Sequence, residues 1–392
     1  MSDPSPYHYL ILGAGRQGTA AAYDLAKFGA ARKITLADMN EATAVAAANR
    51  VNELSGRNVA VGKAIDVADA QALMAFMLDV DVVLSAVPYY FNLDITKAAI
   101  ATQTHLCDMG GHTGIVRQQL TLDKEAQAAG VSIVPDCGMG PGLINTMAAY
   151  AIDLLDETHA IHIYDGGLPQ QPKPPWNYQL TFHINGLTNE MDGKAVFIRQ
   201  GVIAYVDTLT EPEFIDFAPL GRLEADITSG GTSTAPWTFK GRVQTYENKT
   251  LRYPGHFEWL RAFKQLGLFS EKPVLVNGQP VTPRQLYHTL LEPQISAPVV
   301  HDVCVVRIVG KGVKDGQETA VTIDLLDSFD EATGFTAMER LTGWHCAIMM
   351  GFQARGIVRA GGIPMETAVN PADFMAELPK RGIHYDTRWR KD

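Results

Sequence analysis

The chain has 392 residues, 46% of them hydrophobic and 19% charged, with a mean hydropathy of −0.04 and a formal net charge of −10. These values predict a globular protein of two or three domains, and an acidic balance without Lys/Arg runs argues against nucleic acid and anionic membrane surfaces as partners. No apolar run reaches the ~18 residues of a membrane span, MSDPSPYHYL lacks the features of a secretory leader, and Cys107, Cys137, Cys304 and Cys346 fall in no paired spacing, so reduced thiols in a cytoplasmic protein are expected.

The first predicted strand, 8–13, runs into G-A-G-R-Q-G, which opens a helix over 15–28 and is followed by a strand over 33–38. In this pattern Gly13 permits a tight turn, Gly15 lets backbone approach a pyrophosphate, and Gly18 lets the helix pack on its strand. Free N–H groups at the helix start, beside Arg16 and Gln17, suit phosphate oxygens. Asp38 lies 20 residues past Gly18, where a carboxylate binds the ribose 2′-OH. The same carboxylate repels a 2′-phosphate, and Met39-Asn40 offer no arginine to offset it, so NAD is expected over NADP.

Strands over 58–66, 81–87, 104–108 and 131–136 then alternate with helices over 41–54, 69–78, 92–102 and 114–129. Such alternation predicts a doubly wound, mainly parallel sheet of six strands, with ligands at the carboxyl ends. Those ends hold Asp66, which either sits near adenine or caps the next helix. They also hold Val87-Pro88-Tyr89-Tyr90 with Asn92 just beyond, Asp108 to His112, and Asp136-Cys137-Gly138. A helix over 143–155 leads into residues 159–330, whose alternating β-branched and aromatic residues read as strands (159–167, 178–186, 301–312, 318–327) with helices over 257–266 and 283–291. The proline-stiffened loop 170–175 is placed to act as a lid. Helical periodicity returns over 337–356, and a short helix is expected over 371–380. The fold class is therefore α/β: an N-terminal Rossmann dinucleotide-binding domain (1–140 plus about 337–392) with an inserted α+β, largely antiparallel-sheet domain (about 141–336). The inserted domain is expected to bind substrate and to form a homodimer through its sheet.

Beyond these patterns, G-A-G-R-Q-G, V-P-Y-Y-F-N (87–92), D-M-G-G-H (108–112), P-D-C-G-M-G-P-G (135–142), T-S-G-G-T-S-T (228–234) and L-R-Y-P-G-H (251–256) occur in one order. Together they resemble the saccharopine dehydrogenase-like family, most closely its lysine 6-dehydrogenase branch. The resemblance implies an NAD(P)-binding domain with an inserted substrate domain, oxidising a C–N bond of an amino-acid side chain. In the lysine branch NAD removes the ε-amine, leaving a 6-semialdehyde that cyclises to a piperideine carboxylate. Cofactor residues are then expected at Gly13, Gly15, Arg16, Gln17, Gly18, Asp38, Asp66, Val87, Pro88 and Asn92. Saccharopine-forming relatives carry an acid just before the P-G of the motif, where this chain has Gly140. A role for that acid does not transfer. Saccharopine or another amine as substrate remains an alternative, since Arg199, Arg222, Arg242 and Arg252 could serve its carboxylates, and a non-catalytic dinucleotide-binding protein is a third.

An ammonium of pKa ~10.4 cannot release hydride until a proton leaves, because no lone pair is free to form C=N. The candidate catalytic residues are His112, Asp136 and Tyr90. His112 follows a flexible Gly-Gly turn and titrates near neutrality, or else caps the helix after it. Asp136 serves as base or ammonium partner, or is satisfied by N–H groups of its own turn; Asp108 is read as the anchor of the Gly-Gly-His turn. One of Tyr89 and Tyr90 lines the site while the other packs in the core. For the substrate carboxylate Arg252 leads, with His256 nearby, unless Arg252 pairs with Glu247. Thr232 and Ser233 lie in a hydroxyl- and glycine-rich loop suited to amino-acid contacts or to a plain turn, and Tyr178 is placed to close over the substrate. Cys137 offers a rival thioester route, though Gly-Met-Gly follows it and no partner base is fixed. No metal is expected: His159 and His162, three apart on a strand, face opposite ways.

Overall fold

In the computed structural model, which describes residues 6–391, strand β1 (Tyr7–Leu12) is almost wholly buried in the middle of a sheet. An apolar strand of this kind must be covered on both faces, and crossover helices cover it. In order come α1 (Arg16–Phe28), β2 (Ala31–Asp38), α2 (Glu41–Ser55), β3 (Ala60–Ala64), α3 (Ala70–Met77), β4 (Val82–Ser85), α4 (Asn92–Ala101), β5 (His105–Asp108), α5 (Thr113–Leu120), α6 (Asp123–Ala129) and β6 (Ser132–Val134). The strands pair in parallel in the order β3-β2-β1-β4-β5-β6, a doubly wound sheet.

The second half begins with α7 (Ile144–Leu154), β7 (Glu157–Pro169), α8 (Ile184–Glu190), β8 (Lys194–Arg199), β9 (Val202–Asp207), β10 (Glu213–Phe217) and β11 (Gly221–Ile227). It continues with α9 (Ala235–Phe239), β12 (Thr245–Arg252), α10 (His256–Gln265), the small hairpin β13 (Val274–Val276) and β14 (Gln279–Val281), α11 (Pro283–Ile295), β15 (Asp302–Lys314) and β16 (Gln317–Ser328). After α12 (Ala337–Glu339) the helix passes through a π-helical turn (340–344) into α13 (His345–Ala354), and β17 (Gly361–Gly362), α14 (Pro371–Met375) and β18 (Tyr385–Lys391) close the chain. The second sheet runs β10-β11-β12-β7-β15-β16-β18, with β8 and β9 branching from β12. It is mostly antiparallel, but β7 and β12 pair in parallel.

Four expectations need correction. The first sheet has seven strands, because Gly361–Gly362 adds to β6; two glycines carry no apolar pattern, and a side chain on Gly362 would press on the Leu120 backbone at 3.2 Å. The helix expected over 114–129 breaks in two at Thr121-Leu122, and Asp123 of α6 then accepts the Gly362 N–H at 3.1 Å. Residues 178–186 form no strand. Tyr178, Leu180, Ile184 and Leu187 instead bury against Phe257, Leu260, Tyr287 and Leu291 in a satellite core, and His183 caps α8 through its ring. The helix expected over 371–380 is only five residues of α14 plus a 3₁₀ turn at 379–381, and β18 after it pairs with β16. Gly343 in the π-helical turn lies against α1, where a Cβ would meet Ala21 N and Gln17 O at 2.8 Å. Among the described residues no helix is long and apolar enough to cross a membrane.

Candidate functional site

The glycine turn opens the site. Gly13 has φ +98°, and a Cβ there would meet Ala86 O at 2.5 Å; on Gly18 it would meet Gly13 O at 2.0 Å. Both glycines are thus fixed by close backbone approach. Gly15 differs, since a Cβ there would meet nothing within 4 Å: the space in front of it is open. No side chain caps α1, so its first N–H groups remain available to an anion. Gln17 Oε1 is buried without a partner, while Arg16 pairs through Nε with Glu339 at 3.1 Å. Asp38 accepts from Ala14 N–H and from Asn40 N–H, each at 3.0 Å, which fixes its carboxylate beside the glycine turn. Asp66 is exposed and accepts from Ala68 N–H, and it lines a recess of about 320 Å³ with Met39, Ala64, Ile65, Ala72 and Phe76. Capping of α3 falls to Asp69 instead. Val87 Cγ1 lies beside Gly13, and Pro88 is exposed next to it. Asn92 is buried, with Oδ1 accepting the Ser85 hydroxyl at 2.7 Å, so it secures the end of β4.

At the ends of β5 and β6 the acids divide their work. Asp108 is buried and accepts from Gly110 N–H (2.7 Å), Asp136 N–H (3.1 Å) and Gln119 Nε2 (2.7 Å), anchoring the Gly-Gly-His turn as expected. His112 takes the capping alternative: Ile115 N–H donates to its Nδ1 at 3.3 Å, its ring stacks on Tyr89 at 5.5 Å, and it is exposed. Tyr90 is 60% exposed, packed edge-on against Tyr89 and beside Phe91, so neither tyrosine joins the core. Asp136, at φ +63°, is buried, and burial raises its pKa to about 7 against hydrogen bonds from Ser233 and the Gly111 backbone. The Ser233 hydroxyl donates to Asp136 Oδ2, bridging the two halves of the molecule. Its neighbours are engaged too: Thr232 donates to Val196 O at 2.7 Å and Thr234 to Glu366 at 2.9 Å. The 228–234 loop thus fastens the domains together. Cys137 is 1% exposed and burial pushes its thiol well above the usual range, which disfavours a thiolate nucleophile.

Across from this turn lies the inner face of the second sheet. Arg252 is 3% exposed; Nη1 donates to Leu251 O, Nη2 meets Glu190 at 3.5 Å, and Nε has no partner. Glu247 pairs with Arg199 instead. The Arg252 guanidinium stands 5.4 Å from the Tyr178 ring, which in turn lies 4.8 Å from His256. Tyr178 and His256 are both buried. Neither the tyrosine hydroxyl nor either ring nitrogen has a partner of normal geometry, and burial keeps His256 neutral. Sequence reasoning missed three residues here. Asp165, half-buried on β7, accepts from Asn248 Nδ2 at 2.7 Å and is raised by burial to about 6; Glu190 on α8 is raised by burial to about 7 although the cleft leaves 35% of its side chain exposed. His345 accepts Gly138 N–H at Nδ1 (3.0 Å), so this neutral ring on α13 holds the 136–142 turn in place. A larger recess, about 680 Å³, lies near β16 and β18 on the far side, but its arginines, Arg307 and Arg388, are both held by Asp324.

Residues 9–134 match the model "Saccharopine dehydrogenase NADP binding domain", and residues 138–383 match "Saccharopine dehydrogenase C-terminal domain". The chain is 26% identical over 238 residues to the NADP(+)-linked, L-glutamate-forming saccharopine dehydrogenase of Saccharomyces cerevisiae, covering 55% of this chain and 50% of that one. Over 340 residues it is 24% identical to carboxynorspermidine synthase of Vibrio cholerae, covering 81% of this chain and 80% of that one. The first curated relatives are matched over only about half their length or less. The apo structure of the yeast L-Glu-forming enzyme superposes with a TM-score of 0.77 at 21% identity, covering 98% of this chain and 100% of that one.

Proposed function

The chain belongs to the saccharopine dehydrogenase family, and from that premise we propose that it is an NAD-dependent oxidoreductase acting on a CH–NH2 group of an amino acid, its substrate the ε-amine of L-lysine. The supporting observation is a buried, incompletely partnered Arg252 set among carboxylates, together with a glycine turn that leads into a helix whose first N–H groups no side chain caps. Arg252 uses one N–H on Leu251 and one toward Glu190. Of the five donors of a guanidinium, three are left for a bidentate carboxylate.

The residues fit a dinucleotide: open space before Gly15, uncapped N–H groups on α1, Asp38 beside them, and the recess at Met39 and Asp66. Asp38 favours a free ribose 2′-OH, hence NAD, although the yeast relative is named as NADP(+)-linked. Bound there, NAD+ supplies the hydride acceptor: R–CH2–NH3+ and NAD+ give R–CH=NH2+, NADH and a proton, and water then yields R–CHO and NH4+. The chain's own task is to bind the carboxylate, take the proton and shield the cleft.

A second reading, action on the secondary amine of saccharopine or a related carboxyalkyl amine, is favoured by the names of the yeast and Vibrio relatives. It calls for several cations around the substrate. Yet Arg199 is held by Glu211 and Glu247, Arg222 lies over Phe214, and Arg242 lies over Phe239. Purified protein with NAD+ or NADP+ and a panel of lysine, ornithine, saccharopine and simple diamines separates the readings. Fastest cofactor reduction with lysine and NAD+ is expected; faster reduction with saccharopine would replace the first reading by the second.

A further inference from the structure

Gly140 has φ −125° and ψ 120°, a conformation open to any residue, so backbone geometry does not require glycine there. A Cβ on Gly140 would come within 3.3 Å of Asp165 Oδ2, closer than ordinary contact, and this oxygen reaches over from β7 in the other domain. The opposite oxygen, Oδ1, is held by Asn248 at 2.7 Å, which orients the carboxylate and leaves Oδ2 pointing at the 136–142 turn. Thr250 pairs with Asp165 in the parallel register of β12 and β7, and Arg252 follows two residues later on the same face. Glu190 lies on the other side of Arg252. The groups facing Asp165 are thus Arg252 from β12, Glu190 from α8 and the buried thiol of Cys304 from β15. Around them, Arg252 Nε is buried without a partner, and the buried Tyr178 hydroxyl and His256 ring have only the Thr181 side chain and the Trp176 backbone beside them, in poor hydrogen-bond geometry. Buried polar groups are almost always satisfied, so a buried guanidinium with an unmet N–H, facing Asp165 across a poorly satisfied cluster, marks a place where a ligand completes it.

We propose that Asp165 Oδ2 receives the side-chain ammonium of a diamino acid whose carboxylate lies on Arg252, and is the base that takes its proton. This rests on the reading that a side-chain amine is the reacting group. The transfer is R–CH2–NH3+ and Asp165–COO− to R–CH2–NH2 and Asp165–COOH; the N–H bond breaks, its electron pair stays on nitrogen, and an O–H bond forms on Oδ2. The amine lone pair is then free to form C=N as hydride leaves. Burial lifts the Asp165 carboxyl toward neutrality, which suits it to hold that proton. Glycine at position 140 keeps Oδ2 uncrowded.

The test compares binding of L-lysine and L-norleucine, which differ at the ε-carbon by one ammonium, to the NADH-loaded protein by titration calorimetry. The wild type should prefer lysine by at least about tenfold, as for a charge-assisted hydrogen bond. The isosteric Asp165→Asn, which can still accept from Asn248, should bring that ratio close to one and abolish amine oxidation while NADH binding is retained. Gly140→Ala, which crowds Oδ2, should lower the ratio as well, and it decides the matter should Asp165→Asn not fold. An unchanged preference in the variants, or none in the wild type, would overturn the assignment even if NAD+ is reduced. Preference for lysine without any NAD+ reduction would uphold this site and remove the oxidation reading instead.

Discussion

Asp38 carries the choice of dinucleotide. Its carboxylate is already fixed by the Ala14 and Asn40 amides, so it meets a ribose hydroxyl without reorganising. Asp38→Ser should raise the NAD+ dissociation constant about 10–100-fold, the worth of a charge-assisted hydrogen bond, and should improve NADP+ binding. Equal affinities for both cofactors in the unsubstituted protein would remove Asp38 from that role. Asp136 makes a different prediction, because burial raises it from 3.8 to about 7. A carboxyl whose folded pKa exceeds its unfolded one stabilises fully below the unfolded value, and that contribution is lost as pH rises through the folded one. Between about pH 4 and 7 the protein should therefore lose stability at this residue. Asp136→Asn, neutral throughout, should show a flatter dependence of Tm on pH over that window; parallel curves would mean that Asp136 does not titrate there.

At the level of strands and helices, glycine packing is the most exacting requirement. Gly18→Ala places a methyl 2.0 Å from Gly13 O, backbone that cannot swing aside. A loss of about 1–3 kcal/mol in thermal or denaturant unfolding is expected, together with weaker dinucleotide binding; a variant as stable as the parent would show that α1 sits farther from its strand. The first six strands were legible because strands buried on both faces leave short continuous apolar runs, while the helices between them leave a 3.6-residue periodicity. Gly361–Gly362 could not be read, since its pairing depends on backbone alone. The alternation at Tyr178, Leu180 and Ile184 was real, but it serves a satellite core rather than a sheet. The cofactor turn could be read because its chemistry is local to Gly13–Gly18. The Ser233–Asp136 bond spans 97 residues, and Asp165 approaches Gly140 across the cleft, so neither leaves a local signal.

Taken together, the two sheets share one hydrophobic core, running from Ile11 of β1 past Met147 of α7 and Ile348 of α13 to Val306 of β15, and polar contacts around the site add to it. Ser233 bonds Asp136, and Thr234 donates to Glu366 at 2.9 Å. Ser233→Ala should leave the buried Asp136 short of a donor and cost about 1–3 kcal/mol, read as a lowered Tm; no change would place the fastening elsewhere. The same contacts bring the carboxyl ends of the parallel strands opposite Arg252, so that one small molecule can touch both domains. Whether that molecule yields hydride from an amine-bearing carbon can be read in a single mass spectrum. After turnover of L-lysine deuterated at the ε-carbon with unlabelled NAD+, the reduced cofactor should carry one deuterium. Reduced cofactor without the label, or none formed, would contradict oxidation at that carbon.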